Sequence, residues 1–264
     1  MANIKTNYLG IELKNPLIAG ASNLVANTNN LKKLEDSGVG AIVYKSLFEE
    51  QIQYENLQTD EITSEFEERH AEMTSVFTDI KKAGPEPFLE QLRKAKESVD
   101  IPLIASLNAV YLDTWTDYAQ KIAETGVDAL ELNFYNLPKE DDLEGEDIVS
   151  RLLNITKQVK AAVDIPIAVK LSPFYTNIYS VIKQIDDAGV DGFVLFNRLF
   201  QPKINIETEK HEFPWNLSKP GDNRLALRFA GLLYGKTQAD VCASNGIYEG
   251  EHLIEMLLAG AQCT

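Results

Sequence analysis

The chain has 264 residues, of which 44% are hydrophobic and 25% are charged, and this suits a globular protein with a sizeable core. Lys and Arg number 25 against 40 Asp and Glu, which gives a formal net charge of −15. A field of this sign repels polyanions, so we exclude nucleic acids and anionic membrane surfaces as partners. A small pocket for a single anion stays compatible with this charge.

Cysteine usage and the first residues of the chain indicate a cytoplasmic protein. Cys242 and Cys263 are the two cysteines, and no CxxC or His/Cys cluster accompanies them. A disulfide framework and a zinc or iron–sulfur site are therefore not expected. Residues 1–5 lack the apolar run of a signal peptide, and no stretch approaches the roughly 20 apolar residues of a membrane span.

A short sequence motif recurs along the chain and predicts its architecture. A small residue, Gly and a small apolar residue follow one another in the four-residue segments 36–39, 124–127, 187–190 and 258–261. The first residue is acidic in the first three copies and is Leu258 in the fourth, and an apolar run follows the first three. This pattern is typical of a helix that ends at a left-handed Gly and leads into a buried strand. Amphipathic segments with a period near 3.6 lie between the apolar runs, so strands and helices alternate.

Alternation of this kind predicts a parallel sheet with right-handed crossovers, and eight such units close a (β/α)8 TIM barrel. We expect strands at 16–22, 41–46, 102–108, 129–135, 166–172, 192–197 and 240–246, and an eighth that begins at 261. One barrel domain would span 1–264. An open doubly wound sheet is the alternative, but the Gly-rich turn that it requires after the first strand is absent.

The eighth unit is incomplete in this sequence, which stops at Thr264. A barrel that lacks most of one strand would leave two strand edges without a partner. We hypothesise that the natural protein is longer.

Two connections, at 47–85 and 198–223, are longer than a barrel needs. Both follow strands at the carboxyl end, where barrel enzymes build their sites. Long connections in compact domains are often functional, and plain surface insertion is the alternative.

Large polar residues end five of the apolar strands: Lys45, Asn108, Asn133, Lys170 and Asn197. The carboxyl ends of parallel strands lie at one end of a barrel, so we expect these side chains to converge there. A lone buried Asn is often a satisfied core group, but a buried ammonium requires an anionic partner. Together they predict a pocket for an anionic, planar ligand rich in heteroatoms. No histidine stands at a strand end, which argues against a His triad or metal site.

The residues around these strand ends resemble the class 1 dihydroorotate dehydrogenases, within the dihydroorotate dehydrogenase-like branch of FMN-dependent barrel flavoproteins. The matching segments lie at 13–22, 30–38, 43–46, 131–133, 169–173, 195–198 and 244–247. The resemblance implies an FMN-dependent dehydrogenase that acts on a CH–CH bond, as in the conversion of dihydroorotate to orotate in pyrimidine biosynthesis. Related enzymes dimerise, so a homodimer is the assembly that it implies.

Carried over by position, the resemblance implies which residues contact the cofactor and the substrate. The cofactor-binding residues would be Gly20, Ala21, Ser22, Lys45, Ser46, Asn108, Asn133, Lys170 and Gly246. Lys170 would face the N1/O2 edge of the flavin, where a cation favours the negative charge of the reduced ring. Gly246 would offer its backbone to the FMN phosphate. Asn133 and Asn197 would bind substrate.

The sequence departs from the family where the catalytic base is expected. Asn136 stands at that position, and an amide cannot accept a proton at neutral pH. Tyr135 is the nearest titratable group, so the catalytic residues implied are Lys45 and Tyr135, although an ordinary phenol is a poor base. The Asn-rich loop that binds orotate is replaced by residues 73–79. A degenerate, non-catalytic flavin-binding barrel is therefore an alternative, and a lyase with Lys170 as Schiff-base amine is another.

Overall fold

A computed structural model describes residues 4–49, 84–109, 111–134, 144–198, 203–212 and 218–264, and for 211 and 212 it describes the backbone alone. Its centre is a curled parallel sheet. The parallel strands are β3 (Ile18–Ala19), β4 (Ala41–Val43), β5 (Leu47–Phe48), β6 (Leu103–Asn108), β7 (Ala129–Asn133), β8 (Ile167–Leu171), β9 (Gly192–Leu195) and β12 (Asp240–Ala243). They follow the order β3-β4-β6-β7-β8-β9-β12, with β5 paired to β6. The predicted TIM-barrel class is confirmed, with strands shorter than expected.

The last residues join the two ends of this sheet. Gln262 N donates to the carbonyl of Val241 at 2.8 Å, and Ala243 N donates to Cys263 O at 2.9 Å. On the other side Ile18 N donates to Thr264 O at 2.7 Å, and Thr264 N donates to Pro16 O at 2.9 Å. The expectation that both strand edges lack a partner was therefore wrong, because the backbone of residues 262–264 hydrogen-bonds to the segments on both sides.

Seven α-helices stand in the described part of the chain. They are α1 (Thr28–Asp36), α2 (Glu86–Glu97), α3 (Leu112–Ala123), α4 (Gly145–Ala162), α5 (Ile178–Asp187), α6 (Asn223–Leu233) and α7 (Gly250–Ala259), and a 3-10 turn at Asn23–Ala26 precedes α1. Side chains cap several of them. Asn177 accepts from Ser180 N at the start of α5, and His252 accepts from Glu249 N at the start of α7. The cap accounts for His252 without a catalytic role.

Alternation along the strands divides the core into two parts. Successive side chains point to opposite faces of a strand, so one set lines the barrel and the other meets the helices. The inner set consists of small and medium residues that include Ala41, Val43, Ile104, Ala129, Ala168, Val194, Cys242 and Cys263. The outer set is larger and includes Leu103, Leu107, Leu130, Leu132, Val169, Phe193 and Leu195. Cys242 and Cys263 are both buried free thiols in the inner set.

An N-terminal hairpin, absent from our expectations, packs against the inner set. Strands β1 (Thr6–Tyr8) and β2 (Ile11–Leu13) pair antiparallel. Tyr8 and Leu9 are each 2% exposed and belong to the inner cluster. Leu9 N donates to the Asp240 carboxylate at 2.8 Å, and an added Cβ at Gly192 would lie 2.5 Å from Leu9 Cδ2. The hairpin therefore occupies the amino end of the barrel and leaves the carboxyl end for a site.

Aspartates that follow two copies of the recurring motif make hydrogen bonds at the amino end of the barrel. Asp128 follows the second copy, and its carboxylate accepts from Leu103 N at 2.7 Å and from the Lys96 ammonium at 2.6 Å. Asp191 follows the third copy and accepts in the same way from Ile167 N at 2.8 Å and Lys160 at 2.5 Å. Each aspartate thus ties a helix to the strand that comes after it.

The two long connections contain structure that the sequence analysis did not predict. The first begins with β5, and most of it lies outside the described residues. The second contains the hairpin of β10 (Lys203–Asn205) and β11 (Lys210–Glu212).

Candidate functional site

The predicted polar residues lie at the carboxyl end of the barrel. Asn108 and Asn133 end β6 and β7, Asn133 pairs in register with Lys170 of β8, and Lys45 and Asn197 follow β4 and β9 by two residues. The three asparagines are buried, whereas the two lysines are half-buried. The structure therefore brings the five residues to the same end of the sheet, opposite the N-terminal hairpin.

A chain of hydrogen bonds runs inward from this end. Ser106 Oγ donates to Glu131 Oε1 at 3.2 Å, and Ser46 Oγ lies 2.7 Å from Ser106 Oγ. A hydroxyl has one proton, so Ser46 must donate to Ser106. Asn133 Nδ2 lies 3.5 Å from Ser46 Oγ at the outer end of this chain, and the Lys170 ammonium lies 3.7 Å from the same Glu131 oxygen at its inner end. The carboxylate is thus the terminal acceptor.

Two members of this chain of hydrogen bonds, Ser106 and Glu131, were not predicted as site residues. Both could have been predicted, because alternate residues of a strand face the same side. Ser106 stands two residues before Asn108, and Glu131 stands two residues before Asn133. The residues on either side of Glu131 are leucines that face the helices, which marks its opposite orientation. Glu131 is 2% exposed and Ser106 is completely buried.

Asn133 has one polar atom without a protein partner. Its Oδ1 is buried and accepts no hydrogen bond from the described residues. Because its Nδ2 faces Ser46, the carboxamide presents an acceptor, and a ligand that meets it must supply N–H or O–H. Asn197 is oriented differently: its Nδ2 donates to the backbone carbonyl of Phe134 at 3.1 Å. That bond ties the ends of β7 and β9 together.

The segment after β3 leaves room beside the site. Gly20 and Ser22 are exposed, and Ala21 is half-buried against the inner cluster. An added Cβ at Gly20 would meet no atom within 4 Å. Open space next to these three residues is compatible with a ligand edge, and their role as cofactor contacts stays a prediction.

The turn after β12 packs tightly against the start of α6. Gly246 has φ +68°, and an added Cβ would lie 2.5 Å from Asn223 N. Only glycine combines this backbone with so close an approach. Asn245, with φ +77°, donates from Nδ2 to Phe196 O at 2.7 Å and so fixes the turn to the end of β9.

Charged groups surround this turn. The Asp222 carboxylate accepts from Lys219 N at 2.7 Å and from Arg198 at 2.5 Å. The Lys219 backbone N–H first, and then the Arg198 guanidinium, hold the pKa of Asp222 below its usual range. Backbone N–H groups at a helix start, with cations nearby, form surroundings that favour an anion.

Several predictions fall on residues whose structure is not described. Tyr135 and Asn136, which follow β7 in the sequence, and residues 73–79 lie outside the described ranges. Their roles stay predictions. Within the described ranges no group of three His, Cys, Asp or Glu could hold a metal ion, and no helix there has the length and hydropathy to span a membrane.

Comparison with known proteins identifies the family. The family model named "Dihydroorotate dehydrogenase" matches residues 3–264. Dihydroorotate dehydrogenase B (NAD(+)), catalytic subunit, of Methanocaldococcus jannaschii is 28% identical over 276 residues, which cover 98% of this chain and 84% of that protein. The protein of the same name from Shouchella clausii is 25% identical, and the match covers 100% of this chain and 86% of that protein. Dihydroorotate dehydrogenase A (fumarate) of Lactobacillus helveticus is 26% identical, and the match covers 99% of this chain and 85% of that protein. The chain therefore belongs to the dihydroorotate dehydrogenase family, whose members are oxidoreductases that act on the CH–CH bond of dihydroorotate.

Proposed function

We propose that this protein is an FMN-dependent dehydrogenase that oxidises dihydroorotate, or a closely similar cyclic substrate, at adjacent carbons. The observation that carries the proposal is the convergence of two lysines and three asparagines at the carboxyl end of the barrel, together with Asn133 Oδ1, which has no hydrogen-bond partner among the described residues. Membership in the family supports the same reaction. The buried free thiols Cys242 and Cys263 support a reducing compartment, and we propose a cytoplasmic role in pyrimidine biosynthesis.

The described residues fit a flavin mononucleotide. Asn133 Oδ1 would accept from an N–H or hydroxyl of the cofactor or substrate, and the space beside Gly20 would admit a ring edge. The turn at Gly246 would receive the phosphate, because N–H groups at the start of α6 and the nearby Arg198 favour a negative group. Lys170 would face the ring, and Ser46 and Asn108 line the same end of the barrel.

Bound FMN would supply the acceptor for a hydride. The residues of the chain then orient and stabilise: Lys170 places positive charge where negative charge develops, and Lys45 draws an anionic substrate to the barrel mouth. Within the described residues no carboxylate forms an ion pair with Lys45, so its charge is available to a ligand. Asn133 and Asn197 would hold the polar atoms of the substrate. Tyr135, which follows Phe134 in the sequence and lies outside the described residues, is our candidate for the proton acceptor.

The visible spectrum of the purified protein tests the proposal. We expect bound flavin, or flavin that reconstitutes with added FMN, and bleaching of its absorbance on anaerobic addition of dihydroorotate. Lys45→Ala should weaken the binding of dihydroorotate at least tenfold, whereas Lys14→Ala, a change at an exposed lysine in the N-terminal segment, should leave it unchanged.

The outcomes separate the proposal from its alternatives. A colourless protein that FMN does not reconstitute would refute flavin binding. Flavin that no dihydropyrimidine reduces would favour the non-catalytic barrel, and borohydride trapping of a carbonyl substrate on Lys170 would favour the Schiff-base lyase.

A further inference from the structure

Glu131 is a buried carboxylate to which the proposed reaction assigns no task. It stands on the inner face of β7, two residues after Ala129 and two before Asn133, and its side chain is 3% exposed. An ionised carboxylate at such a position is strongly destabilising unless it is paired and hydrogen-bonded. Its environment is therefore expected to contain a cation and at least one donor.

The structure supplies both. The Lys170 ammonium, with a side chain 14% exposed, lies 3.7 Å from Glu131 Oε1, and Ser106 Oγ donates to that oxygen at 3.2 Å. Ser106 in turn accepts from Ser46. Among the described residues Glu131 forms its ion pair with Lys170 alone, and Lys170 pairs with no other carboxylate. The two side chains thus form a nearly buried unit whose charges cancel.

We propose that Glu131 is a positioning residue for the oxidoreductase reaction: it anchors the Lys170 ammonium beneath the barrel mouth and offsets its charge there. This inference rests on the proposed function, because Lys170 is the cation expected to face the flavin. With the pair intact, the Lys170 ammonium would face the flavin, while the Glu131 carboxylate brings the net charge of the pair to zero. Loss of Glu131 leaves a net positive charge, and loss of Lys170 leaves a net negative charge.

The reduction potential of bound FMN measures this arrangement. Reduced flavin is anionic, so Glu131→Gln should make the potential more positive and Lys170→Met should make it more negative. Each shift should be about tenfold in the two-electron equilibrium constant, which is about 30 mV. The double variant should return close to the wild-type value. Gln has the shape of Glu and keeps an oxygen for Ser106, so the first variant changes charge with little change in packing.

Asp186→Asn is the matched control for loss of a buried carboxylate. Asp186 accepts from the backbone N–H groups of residues 238 and 239, at the amino end of the barrel. Its replacement should destabilise the protein and leave the potential unchanged. A purely structural role for Glu131 would give the same result as this control, and that result would overturn the proposal.

Unfolding of the flavin-free protein in urea tests the pairing by itself. Lys170→Met leaves the Glu131 carboxylate buried without a cation, and addition of Glu131→Gln should reverse part of the loss. The double variant should have an unfolding constant about tenfold smaller than that of Lys170→Met. Additive effects of the two changes would show that the side chains do not act as a pair and would also overturn the proposal.

The two readouts distinguish this inference from the proposed function. A wild-type protein that binds no FMN refutes the proposed function and the role of Glu131 with it. A wild-type protein that binds FMN, combined with potentials that do not shift in opposite directions, refutes only the role of Glu131.

Discussion

Gly192 lies where the N-terminal hairpin meets the barrel, and Gly192→Ala should destabilise the protein. An added Cβ would stand 2.5 Å from Leu9 Cδ2 and 3.2 Å from Tyr8 Cε2, whereas ordinary contacts begin at 3.4 Å. Leu9 and Tyr8 are each 2% exposed and have little room to move. Overpacking of this kind costs about 1–3 kcal/mol, and we expect a loss of about 2 kcal/mol in the free energy of unfolding.

A second substitution should remove the clash. Leu9→Ala alone deletes a buried side chain and should cost about 2–5 kcal/mol. The same deletion removes the atom that an alanine at position 192 would strike. The double variant Gly192→Ala/Leu9→Ala should therefore be more stable than the sum of the two single losses predicts, by at least about 1 kcal/mol.

Urea unfolding of the four proteins measures this coupling. Gly145→Ala is the control, because an added Cβ at this first residue of α4 meets no atom within 4 Å, and it should stabilise the protein slightly or leave it unchanged. Equal stability of Gly192→Ala and wild type would refute the packing described at the amino end of the barrel. Additive losses in the double variant would show that the destabilisation has another origin.

Three further predictions concern the turn beside the site, the pH dependence of stability and the outer core. Gly246→Ala should destabilise the protein more than Gly235→Ala, because both glycines have positive φ but only an added Cβ at Gly246 would clash with backbone atoms. Gly246→Ala should also weaken FMN binding. Urea unfolding measures the first effect and FMN titration the second. The pKa of Asp222 is lowered in the folded protein, so its contribution to stability is present above the ordinary Asp pKa and is lost as the pH falls through the lower folded value. Asp222→Asn should therefore reduce the pH dependence of the free energy of unfolding, measured in urea, in that acid range. An unchanged slope would contradict the assignment. Phe193→Ala, at a fully buried position between sheet and helices, should cost about 3–5 kcal/mol in thermal or urea unfolding, and a loss below about 1 kcal/mol would contradict its packing.

Patterns within short segments were enough to predict the alternation of strands and helices. The recurring Gly motif and the 3.6-residue period depend on contacts between near neighbours, so they can be recognised in a single sequence. The same holds for the polar residues at the strand ends, because parallel strands place their carboxyl ends together in any barrel. The short strand β5 and the N-terminal hairpin were not predicted, because their apolar runs are too short to show a period. The helix α6 was not predicted either, although its buried residues Ala226, Ala230 and Leu233 recur at helical spacing.

The amino-acid sequence by itself therefore determined the barrel class, the family and the end of the barrel at which the polar residues gather. Tertiary structure alone decided that residues 262–264 bridge the two ends of the sheet, that Leu9 abuts Gly192, and that Glu131 pairs with Lys170. These contacts join residues about 20 to 250 positions apart. Local periodicity specifies which face of an element a side chain occupies, but its partner across the barrel depends on strand order and register, which exist only once the sheet has closed.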